Sequence, residues 1–184
     1  MYQEIEIKLP VSDLQNAVRQ IESMGARVVK ERHFENNILF DTSTRSLQQN
    51  RMVLRVRTVG GKGILTMKGK PDTSRGVKER EEIECELENP QNLIAILSRL
   101  EFEPVFQYQK YRTVYRIEGV TMDICVDETP IGNFIELEGD VETIHEYAER
   151  LGYDWNNRIT DSYVSLYFQW CREKGVTPGN MTFS

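Results

Sequence analysis

Charged and apolar residues alternate along much of this chain. Over residues 2–9, Glu4, Glu6 and Lys8 fall on one parity and Ile5, Ile7 and Leu9 on the other, which predicts a strand with two unlike faces. Over 12–24 the period changes. Leu14, Ala17, Val18, Ile21 and Met24 recur at helical spacing, with Ser12 as the expected cap and Gly25 as the stop. Residues 26–40 read as extended. Strands are predicted at 51–59 and 62–70, joined by Gly60-Gly61, a strong hairpin signal because glycine accepts positive φ at both turn positions. A loop over 73–76 leads into a strand over 77–87.

Pro90 suits a first helical turn and opens a second helix, with Leu93, Ile94, Leu97 and Leu100 on one face. Strands follow at about 105–117, 120–127 and 133–138. A third helix carries Val141, Ile144, Ala148 and Leu151 and ends at Gly152; a fourth begins near Thr160 with Tyr163, Leu166, Tyr167 and Trp170. The last ten residues read as loose, which gives one domain over 1–174 and a tail over 175–184. Strands joined by short turns, with helices inserted between hairpin groups, predict an α+β fold. Its centre is an antiparallel β-barrel or strongly curled sheet with outer helices.

Sorting charges by strand parity changes the picture. Arg55 and Arg57 lie opposite Leu54 and Val56; Lys68 and Lys70 lie opposite Leu65 and Met67. Lys78, Arg80, Glu82 and Glu84 form one row, with Ile83, Cys85 and Leu87 behind. Lys110 pairs with Arg112, Asp123 with Asp127, and Glu136 with Glu138. The alternation alone fits a sheet packed on helices with its charged face solvated. It also fits a closed barrel whose lumen collects every charged row. Sorting into basic and acidic strands favours the lumen, and buried charges of both signs need partners or a guest. Carboxylates two apart can converge on a hard divalent cation, and Arg and Lys rows suit phosphate oxygens. A polyphosphate bridged to carboxylates by metal would complete both.

Composition narrows the alternatives. A net charge of −6 argues against a nucleic-acid binder, and no apolar run approaches the length of a membrane span. Met1-Tyr2-Gln3-Glu4 lacks the features of a signal peptide, so a cytoplasmic protein is expected. Cys85, Cys125 and Cys171 are odd in number and far apart, which predicts buried reduced thiols rather than disulfides. The chain lacks C-x-x-C, and His33 and His145 are distant in sequence, which disfavours a Cys/His zinc site. No Walker loop or dinucleotide fingerprint occurs, and Gly60-Gly61-Lys62-Gly63 is more simply a turn than a phosphate cradle.

Glu4-Ile5-Glu6-Ile7-Lys8 resembles the E-x-E-x-K signature of the CYTH superfamily, the triphosphate tunnel metalloenzymes. Its companions stand in the family's order: Leu54-Arg55-Val56-Arg57, Leu65-Thr66-Met67-Lys68-Gly69, Lys78-Glu79-Arg80-Glu81-Glu82-Ile83-Glu84 and Tyr108-Gln109-Lys110-Tyr111-Arg112. Asp127, then Ile131 to Glu138, and Asp161-Ser162-Tyr163 complete the match. The resemblance implies an eight-stranded antiparallel tunnel using Mg²⁺ or Mn²⁺, closest to class IV adenylyl cyclase-like proteins. The family also includes inorganic and thiamine triphosphatases, and a non-catalytic polyphosphate binder is a further alternative.

The same resemblance gives Glu4, Glu6, Glu136 and Glu138 as metal ligands, and Glu82, Glu84 and Asp127 as second-site or water-orienting groups. Lys8, Arg55, Arg57, Lys68, Arg80, Lys110 and Arg112 become phosphate contacts, with Lys8 also a catalytic candidate. A nucleoside triphosphate or inorganic tripolyphosphate is the implied partner, and relatives are often homodimers. Lys70, Lys78 and Asp123 share the right parity with weaker motif support, and Tyr163 is expected to pack its helix. Asn36-Asn37 stands where members often place an acid ahead of Phe40-Asp41.

Overall fold

A computed structural model describes residues 2–183. Its strands are β1 (Tyr2–Val11), β2 (Arg27–Thr42), β3 (Val53–Val59), β4 (Lys62–Lys68), β5 (Lys78–Leu87), β6 (Phe102–Arg116), β7 (Met122–Thr129) and β8 (Gly132–Gly139). They close an antiparallel barrel in the order β1-β5-β4-β3-β2-β6-β7-β8. The helices are α1 (Leu14–Ser23), α2 (Ser46–Gln49), α3 (Pro90–Arg99), α4 (Val141–Arg150) and α5 (Tyr163–Lys174). No helix among the described residues is long and apolar enough to cross a membrane.

The apolar parity of each strand faces outward. Ile7, Leu9, Ile124, Ile135 and Leu137 are fully or almost fully buried beneath Ile21 of α1 and Ile144 and Ala148 of α4. Leu97 of α3 covers Phe40 and Val56 on the opposite side. Ile83, expected to pack under a helix, is instead half exposed on β5, and Leu100 lies exposed just past the end of α3. The β3–β4 turn has φ of 56° and 86° at Gly60 and Gly61, the positive values that a tight hairpin requires there.

Boundaries moved where side chains outcompeted the expected signals. Asp13, not Ser12, caps α1, its carboxylate accepting Asn16 N–H at 3.0 Å. Ser162 caps α5, which begins at Tyr163, later than Thr160. The short α2 carried no readable period. It is held by Asp41, whose carboxylate accepts the amides of Leu47 and Gln48, each at 2.9 Å.

The tail is not uniformly loose. Pairing of β6 with β7 stops at Tyr111, leaving the edge at Gln107 and Gln109 open. Met181 fills it: its N–H donates to Gln107 and its carbonyl accepts from Gln109, both at 2.9 Å, and its side chain is buried. Ile159 similarly covers the edge of β1 at Lys8, beyond the reach of β5.

Candidate active site

The polar parities converge inside the barrel. One cavity of about 1020 Å³ is lined by Glu4, Glu6, Lys8, Arg55, Arg57, Lys68, Lys78, Arg80, Glu82, Glu84, Lys110, Arg112, Glu136 and Glu138. Asp127 is fully buried behind this surface, bonded to Lys110 at 2.8 Å and to Arg112 at 2.5 and 2.6 Å. The motif-borne candidates of the sequence reading other than Asp127 therefore line one cavity. The weaker ones separate. Lys78 lies inside, donating to Glu6 at 2.6 Å, whereas Lys70 is exposed beyond β4 and Asp123 pairs with exposed Arg116.

The lumen charges divide by wall. The half formed by β8, β1, β5 and β4 presents six carboxylates (Glu4, Glu6, Glu82, Glu84, Glu136, Glu138) against Lys8, Lys68, Lys78 and Arg80, a formal −2. The half formed by β3, β2, β6 and β7 presents Arg55, Arg57, Lys110 and Arg112 against buried Glu35 and Asp127, a formal +2. The carboxylate of Asp41 is taken up by backbone amides of α2.

Most of these charges neutralise one another directly. Glu4 accepts from Lys68 at 2.5 Å and Arg80 at 2.8 Å; Glu6 accepts from Lys78 and, at 3.1 Å, from Lys8. Lys8 also reaches Glu136 at 3.2 Å, and Arg112 bonds Glu136 across the junction of the walls. Burial and repulsion from Glu6 oppose ionisation of Glu4, yet Lys68 and Arg80 hold its carboxyl at about 2. Burial likewise opposes charge on Glu6 and Glu136, but their cationic neighbours keep both well below the usual range.

Glu138 is different. Burial, then Glu4 and Glu6, push its carboxyl up to about 7, and among the described residues no Lys or Arg makes a salt bridge to it. Burial also raises Glu82 to about 7 despite Lys68 at 2.9 Å. Burial lowers Lys78 to about 8 against the pull of Glu6.

These groups fit a hard divalent cation in chemistry, since oxygen donors cluster around Glu138, a half-buried carboxylate with no salt-bridge partner among the described residues. They do not stand at ligand spacing in this arrangement. Among the described residues no three His, Cys, Asp or Glu are placed to hold a metal, because Glu4, Glu6 and Glu136 each turn toward a lysine or arginine.

Several lumen residues had no sequence signal strong enough to single them out. Glu35 is fully buried, 3.3 Å from Arg57 Nε and 3.8 Å from Lys110; burial opposes its charge, but Arg57 and Lys110 hold it well below the usual range. It supplies an acid on strand two despite Asn36-Asn37, and parity counted back from Asp41 would have found it. Tyr163 does more than pack: its hydroxyl donates to Asp127 at 2.7 Å, and the Lys8 and Lys110 ammonium groups lie 5.2 and 5.1 Å from its ring centre. Of the thiols, Cys125 and Cys171 are buried, but Cys85 is exposed on β5.

The cavity also has an apolar portion, with Leu39, Phe40, Met52, Val105, Phe106 and Phe168 along its wall.

Comparison with known proteins agrees with this geometry. A protein of Methanocaldococcus jannaschii provisionally named an adenylate cyclase is 32% identical over 173 residues, 89% of this chain and 97% of the relative. A Vibrio parahaemolyticus structure, also provisionally named an adenylate cyclase, shares the fold at a TM-score of 0.75 and 19% identity, covering 89% of this chain and 96% of its own. A Hippeastrum structure described as revealing a dominant triphosphatase activity matches at 0.66 and 21% identity, covering 97% and 98%. The CYTH domain pattern fits residues 2–163, and the chain belongs to the CYTH domain family.

Proposed function

We propose that this chain is a divalent-metal-dependent enzyme that cleaves the phosphate chain of a triphosphate, with conversion of ATP to cyclic AMP and pyrophosphate as the leading reaction. The observation that carries this reading is the polarised lumen, a −2 wall facing a +2 wall across one cavity. A phosphate chain fits the basic wall, and cations bound to the acidic wall fit its other side. Glu4, Glu6, Glu136 and Glu138 would hold Mg²⁺ or Mn²⁺, which supplies charge neutralisation on the phosphates when bound.

Arg55, Arg57, Lys110 and Arg112 would grip non-bridging oxygens, with Lys8, Lys68 and Arg80 released from their carboxylates to join them. Fixing the chain in line between two walls is most of what phosphoryl chemistry needs. In the cyclase reaction the ribose 3′-oxygen attacks the α-phosphorus, its proton passes to a lumen base, and pyrophosphate leaves. Glu82 and Glu84, which line the cavity, would order that attack, whereas Asp127, fully buried with both oxygens taken by Lys110, Arg112 and Tyr163, would hold those cations in place. The apolar wall at Phe106 and Phe168 gives a nucleoside somewhere to rest, and the cyclase name of the archaeal relative points the same way.

Hydrolysis of tripolyphosphate or thiamine triphosphate is the second reading, favoured by the activity described for the Hippeastrum protein. There water attacks a terminal phosphorus in the same lumen. A sensor without catalysis would have no use for the acidic wall. Incubation with ATP, tripolyphosphate and thiamine triphosphate in Mg²⁺ or Mn²⁺, with products identified, is the test. Cyclic AMP with pyrophosphate supports the cyclase, and orthophosphate release supports the triphosphatase. No turnover of any of the three overturns the enzyme reading.

A further inference from the structure

Among the described residues, three buried side-chain polar atoms lack a hydrogen-bond partner, and they lie on the two adjacent strands β2 and β3 of the basic wall: Asn37 Nδ2, Arg55 Nε and Glu35 Oε2. Asn37 and Arg57 are register partners on β2 and β3, and Leu39 and Arg55 are the next pair along that face. Asn37 is fully buried, and its Oδ1 accepts Arg57 Nε at 3.1 Å. That bond fixes the orientation of the amide, because the flipped form would set two donors against each other. Its NH₂ group is therefore a donor that no protein acceptor among the described residues takes up.

Arg57 is held from behind. Its Nε meets Asn37 at 3.1 Å and Glu35 at 3.3 Å, and among the described residues neither terminal nitrogen has a hydrogen-bond partner. Arg57 itself lines the cavity. Arg57 thus turns its terminal donors to the cavity that it lines with Arg55, and Asn37 and Glu35 brace its Nε from the buried layer behind. An acid at position 37 would accept from Arg57 equally well, but it would remove the spare donor and one unit of the wall's positive surplus.

Resting on the phosphate-binding reading above, we propose that Asn37 is a positioning and affinity-determining residue for a phosphoryl group of the substrate. With Glu35 it aims the Arg57 fork into the lumen. Asn37 is fully buried and stands outside the cavity lining, so it acts on the phosphoryl group through the Arg57 fork rather than by touching it.

The test is titration calorimetry with inorganic tripolyphosphate, run in EDTA and in Mg²⁺, on wild type, Asn37→Asp, Asn37→Ser, Arg57→Ala and the Asn37→Asp/Arg57→Ala double variant, with melting temperatures recorded alongside. Asn37→Asp and Asn37→Ser should each weaken tripolyphosphate binding by about tenfold or more, the loss expected for a hydrogen bond to a charged group. In the Arg57→Ala background the Asn37→Asp penalty should shrink, because the residue acts largely through Arg57. A purely structural role would lower melting temperature without that non-additivity. Asn37 variants that bind within twofold of wild type while Arg57→Ala loses binding overturn this inference and leave the phosphate reading standing. Wild type that fails to bind tripolyphosphate in either buffer overturns both.

Discussion

The two halves of the barrel are built from the same kind of strand and differ in how their charges are satisfied. On the acidic half, carboxylates outnumber cations, and Glu138 is left among like charges with its carboxyl raised to about 7. On the basic half, cations outnumber carboxylates, and the unsatisfied groups include donors, Asn37 Nδ2 and Arg55 Nε. One wall is short of a cation and the other is short of an anion. A barrel this well packed on its outer face could have balanced each wall internally. The complementary deficits are those that the proposed metal-bound triphosphate would fill, and each wall can be tested separately.

The strongest way to break the comparison is Glu4→Gln with Glu6→Gln. Turnover should fall more than about 100-fold, exceeding the 10–100-fold typical when only outer-shell partners of a metal are lost. The metal-free protein should also melt at lower temperature, since Lys68, Lys78 and Arg80 would lose their carboxylate partners inside the barrel. Retained activity in a steady-state assay would remove the acidic wall from the chemistry.

Next comes the basic wall. Tripolyphosphate at a hundred times its dissociation constant should stabilise wild type by about 2.7 kcal/mol, or roughly 5–10 °C in a chain of this size. Arg55→Ala and Arg57→Ala should each lose most of that shift in a thermal melt. Equal shifts in all three proteins would place the anion elsewhere.

A smaller effect sharpens the contrast through pH. Glu82 and Glu138 sit at about 7, above the ordinary 4.5, so the native state binds more protons than the unfolded chain between those values. Stability of the metal-free protein should therefore fall as pH rises from about 4.5 to 7. Below that window it should fall again as Glu4, Glu6, Glu35 and Glu136, all depressed, are forced to protonate. Glu138→Gln should raise the melting temperature in EDTA at pH 8 by a few degrees, about 2–4 °C per kcal/mol, and flatten the slope above pH 5. A melting temperature that climbs from pH 5 to 8 in wild type would contradict the unpaired carboxylate.

The smallest effect belongs outside the lumen. Asp123→Asn breaks only the exposed pair with Arg116 and should cost about 0–1 kcal/mol with no change in tripolyphosphate binding. A large binding loss would mean that β7 contributes more to the cavity than its Asp127 end.

Much of this protein was written in its parity. A period of two fixes which side chains share a face, so Glu4 with Glu6, Arg55 with Arg57 and Glu136 with Glu138 were assigned to one surface before any strand was paired. The Gly60-Gly61 turn, the Pro90 start and the α1 and α4 stripes were equally local, and local signals survive without knowledge of the rest of the chain. Closure decided what parity could not. Ile83 lies on the apolar parity yet is half exposed on β5. Met181 is buried, because β7 ends short and leaves an edge on β6. Glu35, Asn37 and Tyr163 gained their roles only when β2, β3, β6 and α5 brought Arg57, Lys110 and Asp127 beside them. The charge of each wall is likewise a sum over four strands distant in sequence. Desolvation and Coulomb attraction depend on distance through space, and only the closed barrel sets those distances.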